Sequence, residues 1–255
     1  MFKIASWNVN SLKVRMEYVL EWMVQADIDV LALQETKVPD ASFPLQTLID
    51  SGYHVAFSGE KTYNGVAFIS KTPIESVIAE NPHFEDTQKR VLVATIAGYR
   101  VVNLYVPNGA ALDSDKYQYK LRWLDKMHAF LQEQKQTHNN IVVLGDFNIA
   151  PADQDVHAPE VWAGGILVSP AERTAFQDLL ALGFKDSFRQ HHPDTVAYSW
   201  WDYRMNAFRR NMGLRIDHIL ISDDLVDNCV QVGIEKELRS KERPSDHAPV
   251  WALFT

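Results

Sequence analysis

Short apolar runs recur along the whole chain and predict buried β-strands. They cover residues 3–7, 28–34, 65–70, 91–96, 100–105, 141–145, 214–221 and 248–253. Runs of this length, bounded by polar and turn-forming residues, are typical of strands inside a sheet. They are too many for one small open sheet, so we expect two packed sheets covered by outer helices.

Apolar residues at helical spacing lie between several of these runs and predict helices. The stripes are Val14, Tyr18, Val19, Trp22 and Met23, then Leu121, Leu124, His128 and Leu131, then Phe176, Leu179 and Leu180. Gly183 follows the last stripe as a candidate C-terminal cap. Strands mixed with helices indicate the α/β class. No linker rich in Pro, Gly or Ser divides residues 1–255, so we expect a single domain. The least regular stretches are 106–116, 150–170 and 201–213.

Composition narrows the class of protein. The 255 residues are 46% hydrophobic, which is enough for a sizeable core. Cys229 is the only cysteine, which excludes an internal disulfide framework and a cysteine zinc site. The N-terminus MFKIASWNVN shows no signal peptide, and no apolar run is long enough to span a bilayer. These features indicate a soluble cytoplasmic protein with no membrane partner.

The net charge of −8 argues against nucleic-acid binding, because Lys and Arg make the phosphate contacts. The local distribution differs, since four arginines lie in 204–215 with no acid between them: Arg204, Arg209, Arg210 and Arg215. A basic cluster of this kind is usually a solvated face, and a nucleic-acid surface is the alternative.

Several apolar runs end in a carboxylate or an amide. The residues concerned are Asn8 and Asn10, Gln34 and Glu35, and Asp146 and Asn148, while Asp217 lies inside a run and Asp246 and His247 lie near the C-terminus. Any one of them alone is more simply a turn former or a solvated group. If the strand ends converge, the set forms one rim of oxygen ligands. Oxygen ligands without cysteine favour Mg²⁺ or Mn²⁺ over zinc. An acid, a hard cation and a charged imidazole are what phosphodiester hydrolysis requires.

Eight motifs carry a family resemblance. They are SWNVNSL (6–12), LQETK (33–37), NGVA (64–67), NLYVPNG (103–109), LGDFNIAP (144–151), SWWDYR (199–204), GLRIDHILIS (213–222) and PSDHAPVWA (244–252). In this order the sequence resembles the exodeoxyribonuclease III family of the endonuclease/exonuclease/phosphatase superfamily. The resemblance implies a four-layer α/β sandwich of the DNase I-like type, with two packed mixed sheets flanked by helices. It also implies a DNA repair phosphodiesterase that incises 5′ to abasic sites, trims 3′ ends, or does both.

The resemblance assigns roles to matching positions. Glu35 resembles the principal metal ligand, with Asn8 beside it and Asp246 as a second acid near the metal. Asp146 resembles the aspartate that orients or deprotonates the attacking water, helped by Asn148. His247 resembles the histidine that bonds a phosphate oxygen, and Asp217 the carboxylate that orients it. Tyr105 resembles a tyrosine that touches the scissile phosphate, and Lys120 a lysine near it.

Further positions are expected to contact DNA. Trp200 and Leu214 match positions that line a pocket for an extruded abasic sugar, whereas Trp201 fits core packing equally well. Arg204 and Arg209 belong to the segment 204–215 that would face the DNA backbone. Asn108 stands where some relatives have glutamine. The expected partner is duplex DNA with abasic sites or 3′ ends, the expected cofactor is Mg²⁺ or Mn²⁺, and we expect a monomer.

Two alternatives remain at this point. Another phosphodiesterase or phosphatase on the same scaffold would use the same site on an inositol phosphate, a lipid headgroup or unspecific DNA, since fold does not fix substrate. A non-catalytic DNA-binding derivative is disfavoured by the joint presence of Glu35, Asp146, Asn148, Asp217 and His247. The sequence leaves open the balance of abasic-site and 3′-end activities and the number of metal ions.

Overall fold

Two six-stranded sheets form the centre of the protein. The structure, a computed structural model, describes residues 1–255. Its strands are β1 (Phe2–Asn8), β2 (Val30–Gln34), β3 (His54–Ser58), β4 (Val66–Ser70), β5 (Ile74–Ile78), β6 (Val91–Ile96), β7 (Tyr99–Tyr105), β8 (Ile141–Asp146), β9 (Phe184–Asp186), β10 (Asp217–Ser222), β11 (Cys229–Ile234) and β12 (Val250–Phe254). The strand order is β11-β12-β1-β2-β4-β3 in the first sheet and β5-β6-β7-β8-β10-β9 in the second.

Six α-helices accompany the sheets. They are α1 (Leu12–Gln25), α2 (Leu45–Asp50), α3 (Asp115–Thr137), α4 (Pro159–Trp162), α5 (Pro170–Ala181) and α6 (Ser187–His191). Both sheets are mixed, because β1 pairs with β2 and β7 with β8 in parallel while the other pairs are antiparallel. No helix is both long enough and apolar enough to cross a bilayer.

The apolar residues pack in layers. One core fills the space between the two sheets and includes Ile4, Phe68, Leu92 and Ile219. A second core joins α1 to the outer face of the first sheet, and a third joins α3 and α5 to the outer face of the second sheet. The order helix, sheet, sheet, helix confirms the predicted four-layer α/β sandwich.

The two long outer helices of the second sheet begin at capping residues. Ser114 accepts a hydrogen bond from the Tyr117 amide, and Ser169 with Glu172 forms a capping box at the start of α5. Gly183 follows α5 with φ +89°, which fits the predicted cap. The buried stripe of α3 differs from the predicted one. Its centre is Trp123, Met127 and Phe130, while Leu121 and His128 lie half-buried at its margin.

The strands that the apolar runs do not predict are β3, β5, β9 and β11, which are the four edge strands of the two sheets. An edge strand has one unpaired side and is often short or polar, so its sequence lacks a continuous apolar run. In β5, for example, the three central residues are exposed. The predicted run 214–221 also begins too early, because β10 starts at Asp217.

Candidate active site

The ends of five central strands bring the polar residues together. Strand register places Asn8 beside Gln34 in the first sheet, and it places Asp146 beside both Tyr105 and Asp217 in the second. Gly145 permits the close approach of β8 to β7, since a Cβ atom there would lie 1.9 Å from the Leu104 carbonyl oxygen. The predicted convergence of strand ends is therefore present.

Glu35 is the carboxylate at the centre of one half of the site. Its Oε1 atom accepts hydrogen bonds from the Tyr105 hydroxyl at 2.8 Å and from Asn8 Nδ2 at 2.9 Å. Its Oε2 atom lies 2.9 Å from Lys37 Nζ. Burial opposes ionisation of Glu35, but the Lys37 ammonium and the Asn8 amide outweigh it, so the pKa is lowered. Glu35 is therefore an anion that already faces one cation.

Asp146, His247 and Asp217 form the other half. Asp217 Oδ2 lies 2.9 Å from His247 Nδ1 and accepts a hydrogen bond from the Ser199 hydroxyl at 2.7 Å. His247 Nε2 points toward Asp146, at 3.7 Å from Oδ2. Asn8 Nδ2 donates to the same Asp146 oxygen at 2.9 Å and so joins the two halves.

Burial and neighbouring charges shift the pKa values of His247 and Asp146. Burial disfavours the charged imidazole, but Asp217 and Asp146 more than compensate and raise the pKa of His247 to about 10. The imidazole is therefore protonated at neutral pH. Burial is also the main reason why the pKa of Asp146 rises to about 7, against the lowering effect of His247. A carboxylate with a pKa near the working pH suits a general base.

Asn148 lies beside Asp146, as predicted. Its backbone N–H donates to Asp146 Oδ1 at 2.9 Å, and its Oδ1 accepts from Asn108 Nδ2 at 3.1 Å. Asn108 itself is exposed. The side chains thus link the loop after β7 to the loop after β8.

Lys120, which we expect near the phosphate, lies buried beneath the loops that carry Asn108 and Asn148. The Lys120 side chain has no exposed surface and its Nζ lies 2.5 Å from the buried Glu172. Nζ also donates to the Asn148 carbonyl oxygen at 2.7 Å and the Asn108 carbonyl oxygen at 3.2 Å. Lys120 therefore holds the two loops from beneath and does not reach the surface where a phosphate would bind.

Asp246 lies beside Asn10 and Trp200. Its Oδ1 accepts from Asn10 Nδ2 and its Oδ2 from Trp200 Nε1, each at 3.0 Å. Burial would raise the pKa of Asp246, but His247, Trp200 and Asn10 lower it. Asp246 is thus a second anion at the rim, and Trp200 is half-buried beside it.

The arginine segment divides between surface and interior. Arg204 and Arg209 are exposed, and Arg204 pairs with Asp202. The expectation that the whole of 204–215 faces DNA is wrong for Arg215, which is buried and lies 2.7 Å from Asp155 and 2.8 Å from Asp186. Leu214 and Trp201 have no exposed surface either. Trp201 is thus a core residue, whereas Leu214 packs under the half-buried Trp162, Ile166 and Trp200.

The sequence did not single out two cations near Glu35. Lys37 lies within the LQETK motif, so the motif could have indicated it. The Arg90 guanidinium stacks on the Tyr105 ring at 4.5 Å, and no motif surrounds Arg90 in the sequence. Both line a cleft of about 530 Å³ together with Glu35, Asn108 and the exposed Lys116. A larger cleft of about 640 Å³ at residues 153–173 contains none of the predicted site residues.

One group of side chains has the spacing of a possible metal site. The ligand atoms of Asp146, Asp217 and His247 all lie within 4.8 Å of one another. The predicted metal ligand Glu35 offers a second arrangement, since its carboxylate and the Asn10 amide oxygen both contact the Lys37 ammonium. Both arrangements supply the oxygen donors that a hard cation prefers.

Known proteins are similar to this chain in sequence and in fold. The sequence model described as the endonuclease/exonuclease/phosphatase family matches residues 5–247. The chain belongs to this family. Exodeoxyribonuclease III of Haemophilus influenzae is 36% identical over 99% of both chains. This places the protein in the exodeoxyribonuclease III and AP endonuclease branch that its motifs resemble.

Solved structures of family members show the same architecture. NExo from Neisseria, solved as a 3′ phosphatase variant (D146N) bound to a product DNA hairpin, is 46% identical with a TM-score of 0.99, and the match covers 100% of both chains. An AP endonuclease from Archaeoglobus fulgidus is 39% identical with a TM-score of 0.95, over 100% of this chain and 99% of that one. The predicted DNase I-like fold and the predicted enzyme class are therefore confirmed.

Proposed function

We propose that the protein is a metal-dependent DNA repair phosphodiesterase whose centre is formed by Glu35, Asp146, Asp217 and His247. The observation that carries the proposal is a series of close contacts: Asp217 is hydrogen-bonded to His247, the His247 ring faces Asp146 at 3.7 Å, and Asn8 joins Asp146 to Glu35. Family members that act on DNA, including the NExo variant bound to a DNA hairpin, support DNA as the substrate.

Each residue has a task that follows from its surroundings. Asp146 accepts the proton of the attacking water, because burial raises the pKa of its carboxyl group and a raised pKa makes the carboxylate a stronger base. His247 stays protonated and donates from Nε2 to an oxygen of the scissile phosphate. Asp217 keeps the imidazole oriented through Nδ1. Asn148 and Tyr105 present an amide and a hydroxyl to the same phosphate. Charge stabilisation by such fixed groups is the main source of rate in phosphoryl chemistry.

Glu35 is the proposed principal metal ligand, with Asn8 and Asp246 near it. In the alternative centre of Asp146, Asp217 and His247, the Nδ1 atom of His247 already contacts the Asp217 carboxylate, so only Nε2 would be left for a metal. When bound, Mg²⁺ or Mn²⁺ would neutralise charge on the phosphate and on the leaving 3′ oxygen. Lys37 contacts Glu35 at the same place and has to give way or share the carboxylate.

The protein has cationic surface on two sides of the site, where the DNA backbone could bind. The cleft beside Tyr105 carries Lys37, Arg90 and Lys116, and the loop beside Trp200 carries the exposed Arg204 and Arg209. Local cations of this kind allow a chain with a net charge of −8 to bind a polyanion.

Processing of 3′ ends is the activity that we propose first. An abasic sugar would need the pocket next to Trp200 and Leu214, yet Leu214 is covered completely. NExo, which is 46% identical, is described both as a 3′ phosphatase and as a 3′-5′ exonuclease. Incision at abasic sites remains the second candidate, because the Archaeoglobus fulgidus relative is an AP endonuclease.

A panel of labelled duplexes tests the proposal. The duplexes carry a 3′-phosphate, a recessed 3′-hydroxyl end or an internal abasic site, and each is incubated with Mg²⁺ or with chelator. We expect Mg²⁺-dependent release of phosphate and nucleotides from the 3′ ends, and slower cleavage at the abasic site. Absence of cleavage of all three duplexes with Mg²⁺ and Mn²⁺, while an inositol phosphate is hydrolysed, would refute DNA as the substrate.

A further inference from the structure

The proposed centre draws its side chains from both sheets. In the first sheet Asn8 ends β1 and Glu35 directly follows β2, whereas in the second sheet Tyr105 and Asp146 end β7 and β8. The bonds from Tyr105 to Glu35, at 2.8 Å, and from Asn8 to Asp146, at 2.9 Å, cross from one sheet to the other. The alignment of the sheets at this end therefore sets the geometry of the centre.

Apolar packing alone sets that alignment weakly. The core between the sheets consists of side chains such as Ile4, Phe68, Leu92 and Ile219. Burial of apolar surface is favourable but has no preferred direction. Cores that keep only volume and apolar character lose a unique arrangement before they lose stability.

One polar pair crosses this core directly beneath the centre. Gln34 Nε2 donates to Asn103 Oδ1 at 2.7 Å, and neither residue has exposed surface. Asn103 Nδ2 donates to the Leu33 carbonyl oxygen at 3.0 Å and to the Ala67 carbonyl oxygen at 3.1 Å. Gln34 also donates to the Ser6 hydroxyl at 3.0 Å. Asn103, from the second sheet, is thus bonded at three points to β2 and β4 of the first sheet.

Gln34 and Asn103 lie close in sequence to Glu35 and Tyr105, the two residues that are hydrogen-bonded in the centre. Gln34 immediately precedes Glu35, and Asn103 lies two residues before Tyr105 on the same face of β7. Leu33 and Ala67, whose carbonyl oxygens accept from Asn103, are cross-strand partners in β2 and β4. A displacement of Asn103 relative to Gln34 would therefore move Tyr105 relative to Glu35.

We propose that Gln34 and Asn103 are positioning residues that lock the two sheets in the alignment required for cleavage. A satisfied buried network is directional, and an unpaired member is costly, so only one alignment of the sheets keeps all three bonds of Asn103. Neither residue contacts the proposed substrate. The inference rests on the proposed function, because it assumes that Glu35 and Tyr105 act together.

Three variants test the inference: Gln34→Met, Asn103→Leu and the double variant. The assay measures kcat and KM for release of phosphate from a 3′-phosphate duplex with Mg²⁺, alongside thermal unfolding. Ile219→Val, an apolar change in the same core between the sheets, is the matched control. We expect kcat to fall by about tenfold or more with KM nearly unchanged, since displacements of about 1 Å can cost about a hundredfold in rate. The double variant should lose little more activity than the worse single variant, because both single changes remove the same Gln34–Asn103 bond.

The outcomes separate positioning from stability. If the double variant keeps the wild-type kcat, the inference is overturned. It is also overturned if Ile219→Val, at an equal loss of melting temperature, lowers kcat as much. Gln34→Met nearly conserves side-chain volume and carries the test alone if Asn103→Leu does not fold. Glu35→Ala is assayed on the same duplex: retained activity would refute the proposed function, whereas lost activity with an active double variant would refute only the positioning role.

Discussion

Replacing Asp217 with asparagine should remove most of the charge from His247 at neutral pH. The Asp217 carboxylate lies 2.9 Å from Nδ1 and is the largest favourable influence on the pKa of the imidazole, which is raised from 6.5 to about 10. Unit charges about 4 Å apart attract by about 4 kcal/mol at an effective dielectric constant of about 20. Since one pKa unit corresponds to about 1.4 kcal/mol, the pKa of His247 should fall by about 3 units in the variant.

The direction of the effect on activity depends on which protonation state of His247 is active. The protonated imidazole donates to the phosphate, and a raised pKa keeps that form until the pH passes about 10. In Asp217→Asn the proton is lost near neutral pH, so the alkaline decline in kcat should begin about 3 pH units earlier. NMR titration of the His247 ring and a pH–rate profile measure both quantities. A wild-type imidazole that titrates near 6.5, or an unchanged profile in the variant, would refute this explanation.

Three other perturbations have defined outcomes. Lys120→Met removes the cation that faces the buried Glu172 carboxylate and should cost about 3 kcal/mol by chemical denaturation; a loss below about 1 kcal/mol would contradict the buried pair. Arg209→Gln should flatten the salt dependence of DNA affinity by roughly one unit of logarithmic slope, while exposed Arg122 on the outer helix serves as a control that should not. Asp146→Asn should lower turnover at least about a hundredfold without weakening DNA binding; wild-type turnover would remove Asp146 from the centre.

The sequence predicts the centre of each sheet better than its edges. A strand such as β8, with residues Ile141–Asp146 all buried, must be apolar along its length, so its pattern is unmistakable. Edge strands such as β5 and β11 have one solvated side and read as turns or loops. Their place in the sheet depends on a neighbour that only the tertiary structure supplies.

Among the site residues, those at strand ends were predicted better than the buried cations. Motifs at strand ends indicated Glu35, Asp146 and Asp217, because the fold forces these ends to meet. The family resemblance places Lys120 near the phosphate, and Arg215 belongs to the segment 204–215 that was expected to face DNA. Each is buried only through a distant acid, Glu172 for Lys120 and Asp155 with Asp186 for Arg215, and sequence spacing carries no sign of such a pairing.

The role of Glu35 as the site of the divalent cation can be measured by single-turnover cleavage of a 3′-phosphate duplex across a range of Mg²⁺ concentrations, with wild type and Glu35→Gln. Loss of even an outer partner of a metal ligand lowers metal affinity by about 10–100-fold. We predict that Glu35→Gln needs at least about tenfold more Mg²⁺ for half-maximal cleavage. The same Mg²⁺ dependence in both proteins would contradict a cation at Glu35.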